Sequence, residues 1–152
     1  MERPVSRCAG QRGRPGAEAR SLTCFVDGRT DALADSRAIM NAIAPAMGPA
    51  GSGQIARLCN NALTISNLRN VVEVFAMADK LGLSLAGLRE AFAHSSGGSF
   101  ILQALGTKVT MSNAAHIAEL NRTDLREFAQ AMSRKHVDPT ALLQWGFRGQ
   151  TA

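Results

Sequence analysis

Arg57, Asn60, Asn61, Thr64 and Asn67 recur at spacings of three and four residues, the intervals that stack side chains along one side of an α-helix. With Arg57 at zero and steps of roughly 100° per residue, they fall within one arc of about 120°. Ile55, Leu58, Cys59, Ala62, Leu63 and Ile65 fall on the other side. The polar arc is unusual in kind. A solvated helix face is normally rich in Lys, Glu and Arg, whereas Asn and Thr lower helix propensity. Three amides and a hydroxyl beside a single cation offer fixed donors and acceptors rather than solubility. Such a face suits a wall turned toward a ligand; it equally suits a polar seam hydrogen-bonded to a neighbouring helix, and the residue types leave both open.

The element that must carry this arc runs from Gly48 to Leu81. It opens with Gly48, Gly51 and Gly53 and then continues for about 28 residues without glycine or proline, enough for a helix of roughly 42 Å. Around it the chain reads as mainly α, built on this one long helix, with a short residual β segment near the N-terminus. Residues 1–19, rich in Arg, Gly, Pro and Ala without periodicity, read as loop or a flexible basic tail. Ser21–Val26 is a short β-type run closed by Asp27-Gly28. A lone strand needs partners, and no second strand follows downstream, so this run either packs irregularly or ends a sheet that lies outside the chain.

Asp31–Ala44 reads as a modest amphipathic helix stopped by Pro45. Beyond the long helix, which Leu81-Gly82 should end, Ser84 is the expected N-cap of Leu85–His94 and Ser99 that of Phe100–Leu105. Helix is expected at Ala114–Leu120. A separate helix capped by Thr123 is expected over Asp124–His136, with acids at its start and bases at its end. Ala141–Trp145 begins a last one.

Composition narrows the function classes. The 152 residues carry a net charge of +5, but most of that excess lies in the arginines of residues 1–20, so the rest of the chain is nearly neutral. Basic residues clustered on one element and interleaved aromatics are missing, which argues against nucleic acid as a partner. Cys8, Cys24 and Cys59 show no CxxC spacing, arguing against a metal site and a disulfide framework. The absence of a signal-type apolar core or an 18-residue apolar run points to a reduced, cytoplasmic setting with no membrane partner.

Gly51-Ser52-Gly53-Gln54-Ile55-Ala56 matches GxGxxA, the dinucleotide fingerprint, but that motif must follow a buried strand inside a βαβ unit. Here a proline-broken segment precedes it. What remains is a glycine-rich turn whose N–H groups either favour an anion or answer only a need for tight backbone geometry. His94, His116 and His136 form no recognisable site.

The run GPAGSGQIARLCNNAL resembles the β-hydroxyacid dehydrogenase signature G-x-x-G-x-G-x-x-x-K-x-x-N-N, found at the start of a long interdomain helix. Ordered matches flank it. PGAEARSLTCFVDG is similar to the family's GAxxGxL-strand-GG segment. ADKLGLSLAGLREAFAHSSGGSF is similar to its A-x-x-x-G-L…S-S-G-x-S segment, and Asn121–His136 to its K-D-L helix. The similarity covers roughly residues 15–140.

That resemblance implies an NAD- or NADP-dependent oxidoreductase with a Rossmann domain and a helical domain that completes the active site and forms a homodimer. Its substrate is a small hydroxyacid, oxidised at its CH–OH by hydride transfer. Residues 20–47 would be a remnant strand and helix of the nucleotide-binding domain and residues 48–152 the helical domain, leaving the chain incomplete and inactive alone. Position by position, the resemblance puts Arg57 at the catalytic lysine and Asn60, Asn61 and the loop glycine Gly53 at substrate-binding positions. Ser6 corresponds weakly to the substrate-carboxylate loop. Thr123 stands where the family has a lysine near the nicotinamide, and the adjacent Asp124 matches. Arginine has a definite consequence: guanidinium binds a carboxylate bidentately but stays protonated and cannot act as a base. A contrasting expectation is a non-catalytic helical dimerisation or interaction module, with Val71, Val74, Phe75 and Ala78 presenting an apolar face to a partner.

Overall fold

The structure, a computed structural model, describes residues 6–11, 18, 23–28, 31 and 47–148. Among those residues the elements are β1 (Ser6–Gln11), β2 (Thr23–Gly28), α1 (Ser52–Lys80), α2 (Leu85–Ala93), α3 (Phe100–Ala104), α4 (Ala114–Ser133) and α5 (Thr140–Phe147). The mainly α architecture is the expected one. The chain divides into two compact units, Met1–Asn60 and Asn61–Ala152, with the boundary inside α1. Of the helix expected over Asp31–Ala44, only Asp31 lies within the described residues, and it is helical.

In the first unit β2 does have a partner, and it comes from upstream rather than downstream. β1 pairs with it antiparallel, in a register that sets Ser6 opposite Gly28 and Gln11 opposite Thr23. The pairing corrects the reading of residues 1–19 as loop: Ser6–Gln11 holds its hydrogen bonds across the ladder, a non-local arrangement that composition does not report. Val26 and Asp27 are buried at 1% and 3% exposure. The chain then returns along the end of β2, where the Met47 N–H donates to the Val26 carbonyl at 2.7 Å.

α1 is 29 residues long. It stops where expected: Gly82 takes φ +72°, and the Leu83 N–H reaches back to the Ala78 carbonyl at 3.0 Å. Only glycine adopts that left-handed geometry cheaply. On the apolar side Leu58, Ala62 and Ile65 are buried, but Cys59 and Leu63 are exposed, so the buried stripe is narrower than the wheel suggests.

In the second unit local capping chemistry sets the short helices. Ser84 Oγ accepts from the Gly87 N–H and Ser99 Oγ from the Leu102 N–H, both at 3.2 Å. Phe75 of α1 meets Phe92 of α2 edge to face at 6.2 Å. The Thr107–Asn113 connection is pinned by Asn113, which accepts from the Thr110 N–H and donates to the Lys108 carbonyl. α4 then runs unbroken for 20 residues, where the sequence suggests two helices with a cap at Thr123. Thr123 Oγ1 instead donates to the Glu119 carbonyl at 3.1 Å, a mid-helix bond to the preceding turn. Leu125, Phe128 and Met132 point inward at helical spacing, and their burial carries α4 through the weak point. At α5, Gly146 lies against Leu125: a Cβ there would come within 3.0 Å of Leu125 Cδ1 and 3.8 Å of Ile65 Cγ2. The core of this unit is therefore held by α1, α3, α4 and α5, with Leu102 and Leu125 fully buried and each contributing about 1.5–3 kcal/mol.

Candidate functional site

The first turn of α1 has its own anion. Asp27, at the buried end of β2, accepts from the Gly51 N–H through Oδ1 at 2.9 Å and from the Gly53 N–H through Oδ2 at 2.8 Å. A buried carboxylate facing free N–H groups and the positive end of a helix is electrostatically favourable. Gly51 adopts φ +94° to aim its N–H. Gly53 must be glycine for space, since a Cβ would sit 2.6 Å from the Phe25 carbonyl oxygen and 2.7 Å from Asp27 Oδ2. Of the two readings of this loop, the structure places an internal carboxylate where an external anion would bind. Asp27 is the residue the sequence reading passes over: Asp27-Gly28 has the composition of a turn, and only its reach across 26 residues to Gly53 reveals its role.

The polar arc is carried on a continuous helix, as the spacing requires. Arg57 is half-buried and its Nε donates to Gln54 Oε1 at 3.3 Å. Asn60 is exposed, and Asn61, Thr64 and Asn67 are half-buried. Arg57, Asn60, Gly53 and Ser6 belong to the first unit, with Ser6 at the end of β1 opposite Gly28. Asn61, Thr123 and Asp124 belong to the second, where Thr123 is exposed and Asp124 half-buried on α4. A separate bond of the kind expected for a polar seam occurs further along α1, where Trp145 Nε1 donates to Asn70 Oδ1 at 2.9 Å.

Wholly inside the second unit lies a cavity of about 490 Å³ among α1, α2, α4 and α5. Leu68, Val72, Leu105, Val109 and Ile117 give it an apolar wall, and Arg69, Arg89 and Arg148 are among its lining residues. Among the described residues no acidic one lines it. Arg69 pairs with Glu73 one turn along α1, yet its Nε is buried without a hydrogen-bond partner, the one such side-chain atom among the described residues. Arg89 donates to the Leu105 carbonyl, and Arg148 lies 5.6 Å from the Trp145 ring centroid. Two arginines from α1 and α2 and a third just past α5 carry no local sequence signal. Among the described residues there is no cluster of three or more metal-ligating side chains, and no helix long and apolar enough to cross a membrane.

Residues 51–144 match the family model described as the NAD-binding region of NADP-dependent 3-hydroxyisobutyrate dehydrogenase. Among curated proteins, the chain is 35% identical over 106 residues to the NAD-dependent L-serine dehydrogenase of Pseudomonas aeruginosa, covering 68% of this chain and 34% of that protein. It is 32% identical over 105 residues to the 3-hydroxyisobutyrate dehydrogenase of the same organism, covering 67% and 34%. The chain thus spans about a third of the length of these relatives. Among solved structures, Mycobacterium tuberculosis 3-hydroxyisobutyrate dehydrogenase with L-serine superposes with a TM-score of 0.70 at 24% identity, over 93% of this chain and 52% of that one. That likeness shows a shared fold.

Proposed function

Because this chain belongs to the 3-hydroxyisobutyrate dehydrogenase family, we propose that residues 48–152 form the substrate-side helical domain of an NAD(P)-dependent oxidoreductase acting on the CH–OH group of a small hydroxyacid. Residues 20–47 belong in this reading to the nucleotide-binding domain, and the working assembly is a homodimer. The observation that carries it is α1: one unbroken helix presents Arg57, Asn60, Asn61 and Thr64 along a single arc, inside the segment the family model matches.

In this reading Arg57 binds the substrate carboxylate and the two asparagine amides hold its remaining oxygens, while the family resemblance gives Thr123 and Asp124 to the nicotinamide. The cofactor supplies hydride exchange. Its pyrophosphate does not fit the Gly51–Gly53 turn, because both N–H groups there already bind Asp27 and a phosphate would meet that carboxylate. Removal of the hydroxyl proton needs a group that exchanges protons near neutral pH, and a guanidinium does not. The chain therefore binds hydroxyacid without turning it over.

Titration with 3-hydroxyisobutyrate and L-serine tests the binding half. Saturable binding should weaken roughly tenfold or more in Arg57→Met, the worth of a charge-assisted bond. Clear NAD(P)-dependent turnover by the purified chain would overturn the catalytic half. Joined to the nucleotide-binding domain of the Pseudomonas L-serine dehydrogenase, an Arg57→Lys chain should gain about 10²–10⁴-fold in rate over its Arg57 parent.

One observation favours a second reading as an interaction module. Val74 and Met77, on the later turns of α1, are 41% and 55% exposed, although Ala78 is buried and Phe75 packs on Phe92. A stable dimer in light scattering with no nucleotide or hydroxyacid binding would favour it.

A further inference from the structure

The cavity of the second unit shares no residue with Arg57 and its arc, and its chemistry is different. Its volume, about 490 Å³, falls within the range of small-molecule sites, which pair apolar walls with a few placed polar groups. The charge is unbalanced. Glu73 neutralises Arg69, whereas Arg89 is held by a carbonyl and Arg148 by an aromatic face, and among the described residues no carboxylate lines the cavity. Guanidinium offers five N–H donors. Arg89 spends one on Leu105, and Arg69 retains a buried Nε–H with nothing to receive it. An unmet buried donor beside two cations with no counter-ion among the described residues calls for an acceptor carrying negative charge. The rim is apolar, with Met111 at 93% and Val72 at 44% exposure. A dinucleotide would press ribose hydroxyls against this wall and leave them unsatisfied, which is costly.

We infer that this cavity is a binding site for a monocarboxylate with an apolar body, its head group between Arg89 and Arg148 and its chain along Leu68, Val72 and Ile117. The site shares no lining residue with the hydroxyacid arc and takes a ligand too apolar for it.

The chain contains one tryptophan and no tyrosine, so intrinsic fluorescence reports on Trp145, the neighbour of two lining residues, Gly146 and Arg148. The test is a titration of the whole chain with decanoate, with decanol as the uncharged control, followed by fluorescence and calorimetry. Decanoate should saturate one site and decanol should bind at least roughly tenfold more weakly. Arg148→Met, at an exposed position, should weaken decanoate roughly tenfold with the melting temperature unchanged. Arg89→Lys, which keeps the charge, should retain binding, and NAD should not displace decanoate. Equal binding of decanol, unaltered binding by Arg148→Met, or no saturation would overturn the inference. So would displacement by NAD, or a fluorescence change that follows protein concentration because a second copy fills the cavity. None of these outcomes depends on whether Arg57 binds a hydroxyacid.

Discussion

The first turn of α1 and the cavity of the second unit both gather positive electrostatic character, and the protein treats them in opposite ways. At the first turn, Asp27 is buried onto the Gly51 and Gly53 N–H groups, so the helix end is neutralised from within. Three arginines line the cavity, and the carboxylate paired with one of them, Glu73, sits along α1 rather than in the lining. The lesson concerns what a motif is worth. The glycine-rich turn carries the recognisable ligand signature and is closed. The cavity has no signature and is open to a ligand.

Removing Asp27 should break the contrast most forcefully. Asp27→Ala leaves two N–H groups without an acceptor in a buried setting, at about 1–3 kcal/mol each, so a loss of about 3 kcal/mol is expected in denaturant unfolding. The variant should also acquire weak affinity for inorganic phosphate at the freed helix end, measurable by calorimetry and absent in the parent. A stable Asp27→Ala chain would mean that water replaces the carboxylate at little cost.

The cavity floor offers the next effect. Gly146→Ala places a methyl within 3.0 Å of Leu125 Cδ1, at the junction of α5 and α4. Overpacking a fully buried leucine should cost about 1–3 kcal/mol, and the adjoining Trp145 should report the shift in its fluorescence. A neutral outcome would show that this end of α5 moves freely. Asn70→Leu, which removes the acceptor of Trp145 Nε1, should cost less, about 1 kcal/mol, since the pair is exposed. The readout is the thermal midpoint.

What the sequence discloses follows the range of the forces involved. Gly82, Ser84 and Ser99 act on backbone within a turn of themselves, and each does what its type announces. The polar arc at Arg57, Asn60 and Asn61 is likewise a matter of spacing along one helix. Thr123 shows the limit: threonine followed by aspartate has the composition of a cap, but the burial of Leu125, Phe128 and Met132 outweighs it and α4 continues. The β1–β2 pairing, the Asp27 bridge and the cavity that Arg69, Arg89 and Arg148 line all join distant segments, and no local pattern encodes them.

Asp138 supplies the smallest effect and a control on Asp27, because it is the same device without burial. Its Oδ1 accepts from the Thr140 N–H at 2.9 Å, and from the Thr140 hydroxyl, at the start of α5. The hydroxyl bond first, then the backbone bond, hold its carboxyl below the ordinary value of 3.8. A depressed folded-state pKa stabilises the fold at pH above the unfolded value and loses that contribution as pH falls through the folded one. Asp138→Ala should therefore lower the thermal midpoint slightly at neutral pH, and the difference from the parent should shrink as pH drops below about 4. Full exposure keeps the effect small. A gap that persists undiminished in acid would mean that Asp138 acts through backbone geometry rather than charge.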